Sequence, residues 1–171
     1  PGLNYELWAD KFAKKGFVIT DALRRHAGDY VIWLDADVVS FAAISLKFLK
    51  EIIRYDDPRV FCAHLRRFGM HTESGFLAFN TKHFLCRDFV DRYESLYLSG
   101  GVFHLDGWTD CHVFDCVKAL NVSEGAAAAY FEIPSLGNRH VFVNSPLGLL
   151  MDHLKGNRKD QGQTRIDDYV I

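Results

Sequence analysis

The stretch that most constrains this chain is Tyr30-Val-Ile-Trp-Leu-Asp-Ala-Asp-Val-Val39, an apolar run that ends on two carboxylates, Asp35 and Asp37, with one alanine between them. β-Branched and aromatic residues crowded into so short a run predict a strand over residues 30–36, buried on both faces as in the parallel core of an α/β sheet. The aspartates need a separate reason. An unpaired buried carboxylate costs several kcal/mol or neutralises itself by a pKa shift, so a pair this close belongs at a solvated strand end or around a divalent cation. Mg²⁺ and Mn²⁺ take oxygen ligands and commonly bridge to substrate phosphates, so Asp-x-Asp at a strand end points to a metal–diphosphate site. A strand running into an Asp-rich turn accounts for the pair equally well.

The 171 residues, 49% hydrophobic and 14% aromatic, suffice for one domain (1–171) with a sizeable core. Twenty basic and 22 acidic residues, well mixed, leave a net charge near −2. That balance provides no basic field for nucleic acid, so any phosphate-bearing partner must be met locally. No apolar run approaches the roughly 18 residues of a membrane span, and the first fifteen residues are polar and charged, unlike a signal peptide. The expectation is a soluble, cytoplasmic protein. The chain starts on Pro1 within a helical pattern, so an upstream portion is expected to be missing. Cys62, Cys86, Cys111 and Cys116 show no C-x-x-C spacing and sit in apolar segments, which reads as buried free thiols in a reducing compartment. A zinc cluster of His104, Cys111, His112 and Cys116 has suitable ligand types but matches no common zinc spacing.

Strand and helix alternate along the chain. Residues 6–27 carry helical apolar spacing, and a second helix is expected over 41–55, with Ile44, Leu46, Leu49, Ile52 and Ile53 as its apolar face and Asp57-Pro58 as its stop. Residues 60–65 and 75–79 read as strands, 81–98 as an amphipathic helix closed by Gly100-Gly101, and 108–120 as another helix. Short strands are expected at 127–133 and 140–143, followed by a polar tail, 155–171, with little to bury. This order implies a three-layer α/β domain, a mixed sheet flanked by helices, with ligands at the carboxyl ends of the strands.

A second chemical feature lies more than a hundred residues after the aspartates. In Met151-Asp-His-Leu-Lys-Gly-Asn-Arg-Lys159, His153, Gly156 and Lys159 form H-x-x-G-x-x-K. That pattern offers an imidazole ligand, a glycine permitting close backbone approach to a phosphate, and a neutralising cation. Taken alone it also fits a solvated basic loop.

Four elements occur in a set order: Trp33-Leu-Asp-Ala-Asp37, Glu73-Ser-Gly-Phe-Leu-Ala-Phe-Asn80, Asp110-Cys-His-Val-Phe-Asp115 and His153-Leu-Lys-Gly-Asn-Arg-Lys159. Together they resemble the metal-dependent GT-A glycosyltransferases, in the group of glycogenin-like and lipopolysaccharide galactosyltransferase-like enzymes. The resemblance implies a GT-A-like fold and transfer of a sugar from a nucleotide-diphosphate sugar to a glycan, lipid-linked or protein acceptor; the glycogenin-like relationship suggests retention of configuration, and an inverting GT-A branch is nearly as compatible. It implies Mn²⁺ or Mg²⁺ held by Asp35, Asp37 and His153, with Asp35 also touching the donor. Gly156 and Lys159 would bind the diphosphate, with Lys155 and Arg158 flanking them. Glu73 would border the donor sugar, either hydrogen-bonding it or acting as a structural tie. Asp110 would bind a sugar hydroxyl or act as general base; the alternative is a helix-start aspartate that caps free N–H groups.

The chain departs from the family pattern at Glu73, where asparagine is usual, and at Cys111 and His112, where glutamine and aspartate are expected. Only 34 residues precede Asp35, fewer than a full nucleotide-binding segment requires. A nucleotidyltransferase and a non-catalytic module of the same fold remain open. Of the other candidates, His64, His71 and His83 read as satisfied or surface histidines, and Trp108 as either a sugar-stacking ring or a core anchor. Ser74 lies outside any G-x-S-x-G elbow.

Overall fold

A computed structural model describes residues 7–26, 28–137, 139–156 and 158–170. Among these residues six strands form two sheets: β1 (Tyr30–Leu34), β2 (Val38–Ser40), β3 (Cys62–Leu65), β4 (Glu73–Asn80), β5 (Tyr130–Ile133) and β6 (Met151–His153). The larger sheet has the order β1-β4-β3-β5, in which β4 runs antiparallel to both β1 and β3 while β3 and β5 are parallel. The smaller sheet is the antiparallel pair β2-β6. The domain is therefore a mixed α/β structure, as expected. Because β4 alone is reversed, the carboxyl ends of β1, β3 and β5 and the amino end of β4 share one edge of the sheet.

β1 departs from the expectation of a strand buried on both faces in a parallel core. Among the described residues it pairs only with β4, its side chains are half-buried, and Leu34 is exposed. Its two-sided apolar character has another cause. Val31 and Trp33 pack on one core cluster and Tyr30 and Ile32 on the other, so an edge strand feeds both layers. Asp35 and Asp37 lie just beyond it, in the turn leading to β2.

Helix α1 (Ala9–Arg25) buries Phe12, Gly16, Ile19, Thr20 and Leu23, a three-to-four-residue spacing that defines one face. That face meets α3 (Leu85–Leu98) so closely that a Cβ at Gly16 would lie 2.6 Å from the Tyr93 ring. The helix expected over 6–27 extends at both ends beyond the described residues. The second helix, α2, is only Leu46–Ile52, capped by the Ser45 hydroxyl. Leu46, expected on its apolar face, is exposed, and burial is confined to Ile52 and Ile53. Arg54 ends it by adopting φ +57°. Helix α4 (Asp110–Ser123) is capped by Thr109, whose side chain accepts from the His112 N–H.

The expected strand at 140–143 is a turn. Asn144 N–H returns to the His140 carbonyl and Ser145 N–H to that of Phe142, while Val141 and Phe142 still point inward. An apolar tetrad has no periodicity long enough to separate these outcomes. The tail from residue 155 is also more organised than a solvated segment. It carries the short helix α5 (Arg158–Gln161), its Thr164 backbone N–H donates to Asp152 at 2.7 Å, and the Asn144 side chain bonds backbone at residues 168 and 170. Among the described residues, no helix is long and apolar enough to cross a membrane.

Phe61, Phe79, Phe89 and Phe114 fill the cluster between the sheet and α1, α3 and α4, and Phe76 and Phe142 fill the opposite one. Each fully buried ring contributes about 1.5–3 kcal/mol, more than the net of one ladder hydrogen bond, so the clusters rather than the short strands hold the layers together.

A histidine interrupts this core. His64 on β3 is fully buried, lies edge-on to Phe114 and has no hydrogen-bond partner for either ring nitrogen. Its reading as a satisfied histidine therefore fails. Burial pushes its pKa down from 6.5 to about 3. Between those values the unfolded chain binds a proton that the folded chain does not, so this residue makes stability fall as pH falls, by on the order of a few kcal/mol in total. Replacing His64 with leucine should raise the melting temperature at pH 5 by several degrees more than at pH 7.5. Parallel melting curves that kept the same separation at both pH values would disprove the assignment.

Candidate metal and diphosphate site

The candidate site forms where the main sheet's edge meets the small sheet. The Asp35 N–H donates to the Gly75 carbonyl at 3.1 Å, carrying the β1–β4 ladder into the turn. In the small sheet Val38 lies opposite His153, and the Leu154 N–H donates to the Asp37 carbonyl at 2.9 Å. The register alone therefore sets His153 beside residues more than a hundred positions away in sequence. His153 Nε2 is 3.0 Å from Asp37 Oδ1 and 3.7 Å from Asp35 Oδ2. One ligand atom from each of the three residues lies within 4.8 Å of the others, the only such set of three among the described residues.

His153 is fully buried and its ring is shaped into place. A Cβ at Gly75 would fall 2.4 Å from His153 Cε1, so only glycine at that position of β4 leaves room for the imidazole. The His140 ring nitrogen lies 2.8 Å from the His153 carbonyl and fixes the backbone. On the far side of the ring, Nδ1 has no hydrogen-bond partner and lies 3.6 Å from Glu73 Oε1. Burial, followed by the nearby Lys155 ammonium, pushes the His153 pKa below 6.5 against the pull of Glu73, Asp37 and Asp35. A neutral imidazole whose Nε2 faces both aspartates, with the Glu73 carboxylate behind the ring on the Nδ1 side, completes with Asp35 and Asp37 a donor set that fits a divalent cation.

Glu73 is buried at the start of β4. Its carboxylate takes the Lys155 ammonium at 2.6 Å on both oxygens, and Arg67 lies 3.8 Å away. Burial alone would raise its pKa, but Lys155, with His153 and Arg67, holds Glu73 below the ordinary carboxylate value. Lys159 Nζ lies 3.0 Å from Asp37 Oδ2. For Asp37 too, burial opposes ionisation, and the hydrogen bond from Lys159 with the adjacent His153 prevails, keeping its pKa low. Gly156, between the two lysines, is exposed and adopts φ +57°, which favours glycine. Arg158, also flanking the loop, is instead paired with Asp168.

Asp110 joins the same cleft through a residue that sequence reasoning missed. Lys15, on α1, lies with its ammonium 2.6 Å from Asp35 Oδ1, 2.8 Å from Asp110 Oδ2 and 2.8 Å from the Ser74 carbonyl. Burial would lower its pKa, but the two carboxylates raise it above 10.5, so it stays charged. The available signal was a lysine three residues after Phe12 and four before Ile19, at the margin of the apolar stripe of α1. Because Thr109 caps α4, Asp110 is released from capping and pairs with Lys15.

The other candidates separate from the site. Asp115 accepts from the Thr72 N–H at 2.9 Å and lies 3.0 Å from His71 Nδ1, tying α4 to the approach to β4. The Leu85 N–H donates to the His83 ring. Trp108 packs on the core and lies edge-on to Phe103. Of the four residues considered for zinc, Cys111 and His112 lie 3.9 Å apart, but no metal-binding set containing them forms among the described residues.

No protein-family model matches the chain, and no curated protein does. Among solved structures, the fold is similar to a glycosyltransferase involved in the glycosylation of the major capsid of PBCV-1, with a TM-score of 0.59 and 16% identity. The match covers 94% of this chain and 79% of that one, so the two share a fold along nearly the whole length described here.

Gly75→Ala is the sharpest test of the geometry. The added methyl must displace the buried His153 ring, and cation affinity should fall at least tenfold, with a stability loss of about 1–3 kcal/mol. Calorimetric titration with Mn²⁺ alongside a melting curve measures both; unchanged affinity would mean that His153 is not a ligand.

Proposed function

We propose that this protein is a metal-dependent, GT-A-like glycosyltransferase that moves a sugar from a nucleotide-diphosphate sugar to an acceptor. The observation that carries this reading is the convergence of Asp35, Asp37 and His153 behind the loop that bears Lys155, Gly156 and Lys159. The similarity in fold to a glycosyltransferase supports it independently.

Asp35, Asp37 and His153 would hold Mn²⁺ or Mg²⁺, which when bound supplies positive charge to the diphosphate leaving group. The chain's own residues account for the rest. Lys159, exposed and resting on Asp37, turns to the diphosphate and stabilises the negative charge that accumulates as it departs. Gly156 lets the backbone of that loop approach the phosphates without a side chain in the way. Lys155 is held by Glu73, so the two act together: the lysine presents charge towards the phosphates, and the glutamate stands behind His153 and orients the ring. Burial and ion pairing of Glu73 favour this structural tie over contact with the sugar. Asp110, fixed by Lys15 in the same cleft, accepts a hydrogen bond from a sugar hydroxyl.

Titration with UDP and GDP, each with and without Mn²⁺, should show metal-dependent binding of at least one of them, and Asp37→Ala should weaken it about 100-fold or more. Failure of both nucleotides to bind the folded protein in Mn²⁺ would reject the donor site. Lys159→Ala should separate the two functions of that loop. Nucleotide binding should drop about tenfold, the value of one charge-assisted contact, while Mn²⁺ binding without nucleotide is retained.

A further inference from the structure

The two site aspartates share a pattern that the proposed activity does not require. In each, one oxygen faces His153 Nε2 and the other is taken by a lysine. Asp35 offers Oδ2 to the histidine at 3.7 Å, while its Oδ1 accepts from Lys15 at 2.6 Å and from the Trp33 indole N–H at 2.7 Å. Asp37 offers Oδ1 at 3.0 Å, and its Oδ2 meets Lys159 at 3.0 Å. The two clamps differ in permanence. Lys159 is exposed on a loop, whereas Lys15 is largely buried on α1 and has Asp35, Asp110 and the Ser74 carbonyl around its three N–H bonds.

We infer that Lys15 is a specificity-determining positioning residue that makes Asp35 a one-oxygen ligand and thereby selects small, six-coordinate cations over Ca²⁺. Ca²⁺ takes six to eight oxygens and readily binds a carboxylate through both, while Mg²⁺ and Mn²⁺ suit octahedral sets in which each carboxylate gives one oxygen. With Oδ1 saturated by two donors, Asp35 cannot turn both oxygens to an ion. The same ammonium holds Asp110, so the orientation of a metal ligand and the placement of the α4 carboxylate are set by one group. This inference rests on the reading of Asp35, Asp37 and His153 as a cation site.

The test is the ratio of Ca²⁺ to Mn²⁺ dissociation constants, measured by calorimetry without nucleotide. Removing Lys15 alone strands the buried Asp110 carboxylate and risks unfolding, so the informative variant is Lys15→Met combined with Asp110→Asn. Trp33→Phe, which removes the second donor to Oδ1 and strands no charge, serves as an independent probe. The wild-type protein should prefer Mn²⁺. The double variant should shift the ratio towards Ca²⁺ tenfold or more, Trp33→Phe should shift it less in the same direction, and Lys15→Arg should leave it near wild type. A general loosening of the fold would weaken both ions alike and leave the ratio unmoved. Binding of both ions with an unaltered ratio in the double variant and in Trp33→Phe would overturn the inference alone. No binding of either ion to the wild type would overturn it together with the cation-site reading.

Discussion

The pairing of β2 with β6 is the constraint on which the candidate site depends. Only three residues form each strand, and a ladder that short has little stability of its own. It persists because both ends are anchored elsewhere: β2 continues from β1 through the Asp35–Asp37 turn, and β6 is buried, with Met151 in the core cluster on that side of the sheet. A slip of one residue would turn the His153 side chain to the opposite face and separate it from both aspartates. The register is thus enforced by the core rather than by the strand's own hydrogen bonds.

Electrostatic compensation is the second theme. Asp35, Asp37, Glu73 and Asp110 crowd one cleft, and like charges this close destabilise a fold unless they are offset. Lys15, Lys159 and Lys155 each contact one or two of them, and His153 lies among three. The lysines come from opposite ends of the chain. Lys15 stays where α1 packs and Lys155 stays on Glu73, while Lys159 rides exposed on its loop, so the arrangement combines two fixed cations with one that can be redirected to an anionic ligand. Glu73 shows the cost of this design, because its buried charge is tolerable only with Lys155 in place.

The residues of the candidate site were more legible in the sequence than the residues that support them. Asp35, Asp37 and His153 were legible because carboxylates and histidine in those contexts need a chemical reason, and the structure brings them together. Lys15 was not legible, since a lysine beside an apolar helical stripe is ordinarily a surface residue whose stem lies along the core. Gly75 was visible only as part of a strand motif; its close approach to the His153 ring is a fact of packing between residues far apart in sequence. The strand at 140–143 and the length of α2 were misread for a related reason: short apolar groups carry no usable period, and local turns decide their form.

The sequence by itself determined the alternation of strands and helices, two apolar faces for the sheet, and the chemical types at the candidate site, because periodicity and residue chemistry are local properties. Tertiary structure alone decided that β1 lies at an edge, that β4 runs against its neighbours, and that His153 meets Asp37. It also decided that each aspartate keeps one oxygen for the histidine and gives the other to a lysine. Those outcomes depend on register and on which helix covers which face, and both are fixed only when the two core clusters close.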